Sequence, residues 1–203
     1  LASLYLQQQE AVKAIDGPVL VIAGPGAGKT RVLTHRIAYL IQEGIQPENI
    51  LAVTFTNKAA GEMKERVDLL LAALKQDEHR RETAQKSPTI GTFHAVCLQI
   101  LRQDIDKLGY QKNFAIYDEA DSLSVFKQII KDLEFNPDQF KPAVLKENIS
   151  RLKDKLIDAA TYQKDAEEFW PERIAKIYLR YQEALQKANA LDFDDLIMYA
   201  VKL

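Results

Sequence analysis

The eight residues Ala23, Gly24, Pro25, Gly26, Ala27, Gly28, Lys29 and Thr30 constrain this chain more than any other stretch. They close an apolar run, PVLVIAG at 18–24, and lead into TRVLTHRIAYLIQEG. The first run reads as a buried strand. The second reads as a helix, with Val32, Leu33, Ile37, Leu40 and Ile41 at helical spacing and Gly44 as its stop. A glycine-rich loop between a strand and a helix lets backbone N–H groups turn inward around a polyphosphate. The helix N-terminus adds partial positive charge. Lys29 can reach β and γ oxygens, and the Thr30 hydroxyl can ligate Mg²⁺. The loop by itself does not choose between kinase, GTPase, transporter ATPase and helicase.

The pattern continues as strand and helix in alternation. NILAVTF at 49–55 predicts a second strand, and TIGTF at 89–93 a third. Asn57 is the expected N-cap of KAAGEMKERVDLLLAALK, with Ala60, Met63, Val67, Leu70, Leu71 and Leu74 on one face. QDEHRRETAQKSP at 76–88 reads as a loop, and HAVCLQILRQDIDKLG as a helix ended by Gly109. Crossovers of this length imply a parallel sheet and an α/β fold. Past Gly109 only FAIY is strand-like, so 105–190 is read as a mostly helical insertion.

Two strand ends look alike: TFTNKAA and GTFHAV. Ligands of open α/β sheets sit at the carboxyl edge. A hydroxyl or amide beside a helix N-terminus can hold a phosphodiester, and an exposed Phe can stack on a base. Thr54, Phe55, Thr56, Asn57 and Lys58, with Thr92, Phe93 and His94, are therefore candidates for a single-stranded nucleic-acid track. The competing reading makes the Phe residues core and the Thr and Asn residues caps.

Composition sets the outer limits. The formal charge is −2, so nucleic-acid contact must come from a local site. No apolar run approaches the ~20 residues of a membrane span. The N-terminus lacks a signal-peptide pattern, and one cysteine excludes an internal disulfide. The expectation is a cytoplasmic protein without membrane contact.

Together these segments resemble the N-terminal part of the UvrD/PcrA/Rep type of superfamily 1 DNA helicases, nearly end to end. LYLQQQEAV looks like the glutamine motif, AGPGAGKTRVLTHRIAYLI like motif I, where Ala23 is the usual first residue, and ILAVTFTNKAAGEMKERV like motif Ia. IGTFHAVCLQILR looks like the next DNA-contacting motif, and LDFDDLIMYA like the return from the insertion. The resemblance implies an incomplete P-loop NTPase (RecA-like) domain at 1–104 plus 191–203, with a helical insertion subdomain at 105–190. It implies ATP and Mg²⁺ as cofactors. Gln8 would read the adenine edge and Arg31 would lie near the phosphates. Phe55, Thr56, Asn57, Lys58, Thr92, Phe93 and His94 would line the single strand. Partners would be single-stranded DNA, DNA junctions and the remaining helicase domains.

FAIYDEAD offers Asp118 and Glu119 as a metal-holding acid pair. But the apolar run is short for a central strand, and the acids sit where a helix cap belongs, before SLSVFKQIIKDL. The signatures PTREL and TPGR of DEAD-box proteins are not in the sequence. Asp192, Asp194 and Asp195 are expected to cap the last helical run. The catalytic acids are then expected beyond Leu203, and the isolated chain is expected to lack ATPase and unwinding activity. Rival readings are a small-molecule kinase, a DEAD-type motor using Asp118 and Glu119, and a non-catalytic nucleotide-gated module. Among lesser features, Cys97 is expected in a helix's apolar face. His35 and His79 lack metal-like partners, and Trp170 is expected as an anchor. Lys141, Lys146, Arg151, Lys153 and Lys155 are expected on a solvated helix face.

Overall fold

The computed structural model describes residues 4–74 and 87–203. Residues 75–86, which hold most of the loop read at 76–88 and His79, lie outside the described residues. By compactness the chain divides into Leu1–Val96 and Cys97–Leu203.

The first unit holds α1 (Leu6–Lys13), α2 (Lys29–Gln42), β1 (Leu51–Thr54), α3 (Asn57–Leu74) and β2 (Thr89–Thr92), and the start of α4 (Phe93–Asp104). β1 and β2 pair in parallel from Leu51↔Thr89 to Thr54↔Thr92, as the long crossover requires. Ile37 of α2 and Met63 and Val67 of α3 bury against Ile50, with Ala52 and Ile90 of the strands packed alongside. Leu4 and Val12 bury against Val32, fixing α1 to α2. Gly44, at φ 94°, ends α2 as its sequence predicts.

The strand expected at 18–24 does not form. A strand is a property of a ladder, and no ladder partner for this segment exists among the described residues. Its side chains face outward, with Leu20 85% and Ile22 90% exposed. Asn57 is likewise not the cap of α3 but its first residue. The cap is Thr56, whose Oγ1 accepts from the Ala59 N–H at 3.2 Å.

The second unit contains the rest of α4, β3 (Ala115–Tyr117), α5 (Glu119–Asp132), α6 (Pro142–Asp154), α7 (Ala159–Asp165), α8 (Phe169–Lys187), β4 (Ala190–Asp192) and α9 (Phe193–Lys202). The helical character expected past Gly109 is present. β3 and β4 form a second parallel pair, Ala115↔Ala190 to Tyr117↔Asp192. Phe126, Ile149, Tyr178, Tyr181 and Leu185 dominate the larger core. Leu101, Ile105, Phe114, Leu191 and Leu196 form the smaller one, with Cys97 packed against it as expected.

Lys153 departs from expectation. It is 1% exposed, not solvated. Its position completes the stripe Leu145, Ile149, Lys153 on the buried face of α6. Its Nζ lies 2.7 Å from Asp192 Oδ2 and 2.8 Å from Asp195 Oδ1. Tyr181 Oη donates to Asp192 at 2.9 Å, and Gln182 Nε2 to Asp195 at 3.2 Å. Asp192 also caps α9, accepting from the Asp195 N–H at 2.8 Å. This satisfies the cap expectation for Asp192 and adds a buried ion triad that spacing alone did not reveal.

Burial pushes the Asp195 carboxyl up to about 6, with the Lys153 charge opposing it. At Asp192 burial also pushes upward, but Lys153 and the hydrogen-bond donors outweigh it and hold the carboxyl below its ordinary value. A carboxyl raised in the folded chain contributes stability below the ordinary value of about 4, and that stability is lost as pH rises through the folded value. Lys153→Met leaves two buried carboxylates without a counter-charge, and both then favour the proton. The variant is expected to lose about 3–5 kcal/mol near neutral pH, with a smaller loss near about pH 5 than near about pH 8. Urea unfolding at the two pH values measures this. Adding Asp192→Asn and Asp195→Asn should restore part of the loss, because the uncompensated charges go with them.

Candidate functional site

The phosphate loop is built by its own turn chemistry. The Ala27 N–H donates to the Gly24 carbonyl at 3.3 Å. Pro25 occupies the first corner and Gly26, at φ 76°, the second, the residue choice of a type II turn. Gly28 caps α2 at φ 80°, ψ 28°, a left-handed conformation that favours glycine. α2 then starts at Lys29, so its free N–H groups face the loop. Thr30 lies in the first turn, half-buried, followed by exposed Arg31.

Lys29 lies along this loop. Its Nζ donates to the Gly24 carbonyl at 2.8 Å and to that of Ala23 at 3.1 Å. Gln8 reaches the loop from α1: its Nε2 donates to the Ala27 carbonyl at 3.0 Å, and its Oε1 accepts from the Tyr5 N–H at 3.1 Å. An amide side chain has two N–H groups and two acceptor lone pairs. Gln8 therefore keeps one donor and one acceptor beyond these two bonds. Tyr5, Gln8, Ile22, Gly26, Lys29 and Arg31 are among the residues around a cavity of about 610 Å³, within the range of small-molecule sites. The loop residues, Gln8, Lys29, Thr30 and Arg31 are thus brought together.

The two strand tips also meet. The register Thr54↔Thr92 makes Phe55 and Phe93 the next residues on adjacent strands. Their ring centroids are 5.7 Å apart at 48°. Phe55 is 91% exposed and Phe93 44% exposed, so neither is core. Thr56 caps α3, and Thr92 Oγ1 accepts from the Ala95 N–H at 3.3 Å to cap α4. Thr54 Oγ1 donates to the Thr56 carbonyl at 2.9 Å, tightening the same turn. Asn57, Lys58 and His94 are exposed in the first turns of these helices. The cap reading therefore holds for Thr56 and Thr92, and the core reading fails for both phenylalanines.

Asp118 is the N-cap of α5: its Oδ1 accepts from the Asp121 N–H at 2.9 Å, and Asp121 returns the bond at 3.2 Å. Glu119 pairs with Lys146 at 3.2 Å. Among the described residues no group of three His, Cys, Asp or Glu could hold a metal ion. No helix of the described residues is long and apolar enough to cross a membrane.

The loop geometry separates two glycines. A Cβ on Gly28 would lie 3.0 Å from Gln8 Nε2 and force a left-handed alanine, whereas one on Gly24 meets nothing within 4 Å. Gly28→Ala is expected to cost about 1–2 kcal/mol and to loosen the Gln8–Ala27 tether. Gly24→Ala is expected to cost less than half as much. Chemical unfolding of both variants, with hydrogen exchange at the loop, tests the contrast.

Residues 4–203 match the UvrD/REP helicase N-terminal domain. The whole chain is 48% identical to the ATP-dependent DNA helicase PcrA of Bacillus subtilis (strain 168), covering 26% of that protein. It is 46% identical to PcrA of Staphylococcus aureus (strain Mu50), covering 27%. Over 97% of the chain it is 46% identical to PcrA of Staphylococcus epidermidis, covering 26%. The chain thus spans about a quarter of the length of these relatives. With its phosphate loop, glutamine tether and paired strand tips in place, the chain belongs to the UvrD/REP helicase N-terminal domain family.

Proposed function

We propose that this chain is the ATP-binding and single-stranded-DNA-binding part of an ATP-dependent 3′-to-5′ DNA helicase. The observation that carries the reading is the exposed Phe55–Phe93 step, centroids 5.7 Å apart, in the same compact unit as the phosphate loop. Two aromatic faces at adjacent strand tips suit sequence-tolerant base stacking. The α3 and α4 first turns, with Thr56, Asn57, Lys58, Thr92 and His94, supply N–H groups and polar side chains for the phosphodiester. Strand polarity follows the family resemblance.

On this reading Lys29 leaves the Ala23 and Gly24 carbonyls for β and γ oxygens. Loop N–H groups from Gly24 to Gly28 line the polyphosphate, and Arg31 adds charge beside it. The remaining donor and acceptor of Gln8 match the donor–acceptor edge of adenine. Mg²⁺, held in part by Thr30, supplies charge neutralisation at the phosphates. Residues 1–104 and 191–203 form the first RecA-like domain and 105–190 its insertion. The acids that complete the metal site and position water come from the longer parent chain, together with the second motor domain. A further strand from that chain would also cover Val19–Ile22 and give this segment its ladder. DNA junctions are the substrates most in keeping with such a motor, in the cytoplasm.

In the full-length parent, single-stranded DNA should stimulate ATP hydrolysis, and Lys29→Ala should abolish it. Phe55→Ala should weaken single-strand affinity by about 5- to 150-fold, the equivalent of one lost stack, with nucleotide affinity retained. The isolated 203-residue chain should not turn over ATP. Ordinary turnover by this chain alone would overturn the proposed division of labour and put Asp118 and Glu119 forward as the acids.

A further inference from the structure

The cavity beside the phosphate loop holds a side chain to which the proposed chemistry gives no task. Tyr5, the N-cap residue of α1, is 76% exposed. Tyrosine is not a residue that favours this position, where Ser, Thr, Asp and Asn cap best. Its backbone is nevertheless held on both sides. The Tyr5 N–H donates to Gln8 Oε1 at 3.1 Å, and the Tyr5 carbonyl accepts from the Gln9 N–H at 2.9 Å. The preceding residue, Leu4, is buried with Val12 and Val32, and its carbonyl accepts from Gln9 Nε2 at 2.9 Å. The ring therefore leaves a fixed stretch of chain. Tyr5 is the one aromatic residue among the described residues that line the cavity. Leu6, exposed to the same degree, does not line it.

Gln8 limits where a base can lie. Its amide is tethered at both polar atoms, by Tyr5 and by Ala27, and its remaining donor and acceptor lie close to the amide plane. A base that pairs with them has its edge spent on Gln8 and its two faces left to the cavity wall. On that wall Tyr5 alone carries a π-face, and it starts from the residue whose N–H holds the amide. An aromatic ring with an exposed face gains by stacking on a flat, weakly hydrated partner. We infer that Tyr5 is a further base-binding residue of the nucleotide site, its ring stacking on the face of the base whose edge Gln8 reads. This role rests on the nucleotide reading above. The two residues then have different tasks: Gln8 recognises the edge, and Tyr5 adds affinity of a kind common to all bases.

Equilibrium binding by calorimetry, in the full-length parent with Mg²⁺, tests this with two ligands: ATP, and inorganic tripolyphosphate, which has no base. Every substitution at residue 5 other than proline keeps the N–H that holds Gln8, so side-chain changes isolate the ring. Tyr5→Ala should weaken ATP by about fivefold or more and leave tripolyphosphate unchanged, which also shows that the loop is intact. Tyr5→Phe keeps the ring and should keep the ATP affinity. Leu6→Ala should leave both ligands unchanged. The role is overturned, with the nucleotide reading intact, if Tyr5→Ala leaves ATP unchanged or weakens tripolyphosphate as much as ATP. Covering of Tyr5 by the rest of the parent chain would give one of those two results. Loss of ATP affinity in Tyr5→Phe or Leu6→Ala equal to that in Tyr5→Ala overturns it as well. A wild-type protein that binds ATP no more tightly than tripolyphosphate removes the nucleotide reading itself, and the role of Tyr5 with it.

Discussion

Much of the candidate site depends on one constraint, the parallel register of β1 on β2. With Thr54 opposite Thr92, the chain leaves both strands at the same level and enters two helices side by side. Phe55 and Phe93 are then neighbours by construction. Thr56 and Thr92 close the first turns of α3 and α4 in equivalent ways. A slip of one residue would turn alternate side chains to the opposite face of the sheet and separate the rings. The buried contacts of Ile50, Met63 and Val67 fix that register, so an aromatic step at the surface is held by a small core beneath it.

The second unit is held by a different kind of force. Lys153, Asp192 and Asp195 are charged and almost wholly enclosed. Such a group is costly to desolvate and is tolerated when each charge is met by its opposite and by good donors. Here Tyr181, Gln182 and the α9 cap provide them. The triad joins α6 to the β4–α9 segment and gives Asp192 and Asp195 of LDFDDLI a structural role. The acids of YDEAD are likewise spent on a cap and a surface pair.

Several features were legible without coordinates because each depends on neighbours in sequence. The turn Gly24–Ala27 follows from Pro25 and Gly26, the stop of α2 from Gly44, and the cap of α5 from Asp118. Two readings failed where distant residues decide. Residues 18–24 have the composition of a buried strand, but composition cannot supply a ladder partner. Lys153 looks like surface charge, and the signal that it is not lies in its place after Leu145 and Ile149 on one helical stripe. The shift from Asn57 to Thr56 as cap is a one-residue matter, set by which side-chain oxygen accepts from the third N–H, here that of Thr56 from Ala59.

The sequence by itself determined the phosphate loop, the alternation that requires parallel strands, and the family, because glycine φ preferences, helical spacing and local motifs are carried by contiguous residues. Only the tertiary structure decided that Phe55 and Phe93 form one exposed step, that Gln8 tethers Ala27, and that Lys153 is enclosed by two aspartates. Those facts join residues far apart in the chain, and their energies exist only once packing has brought the partners together.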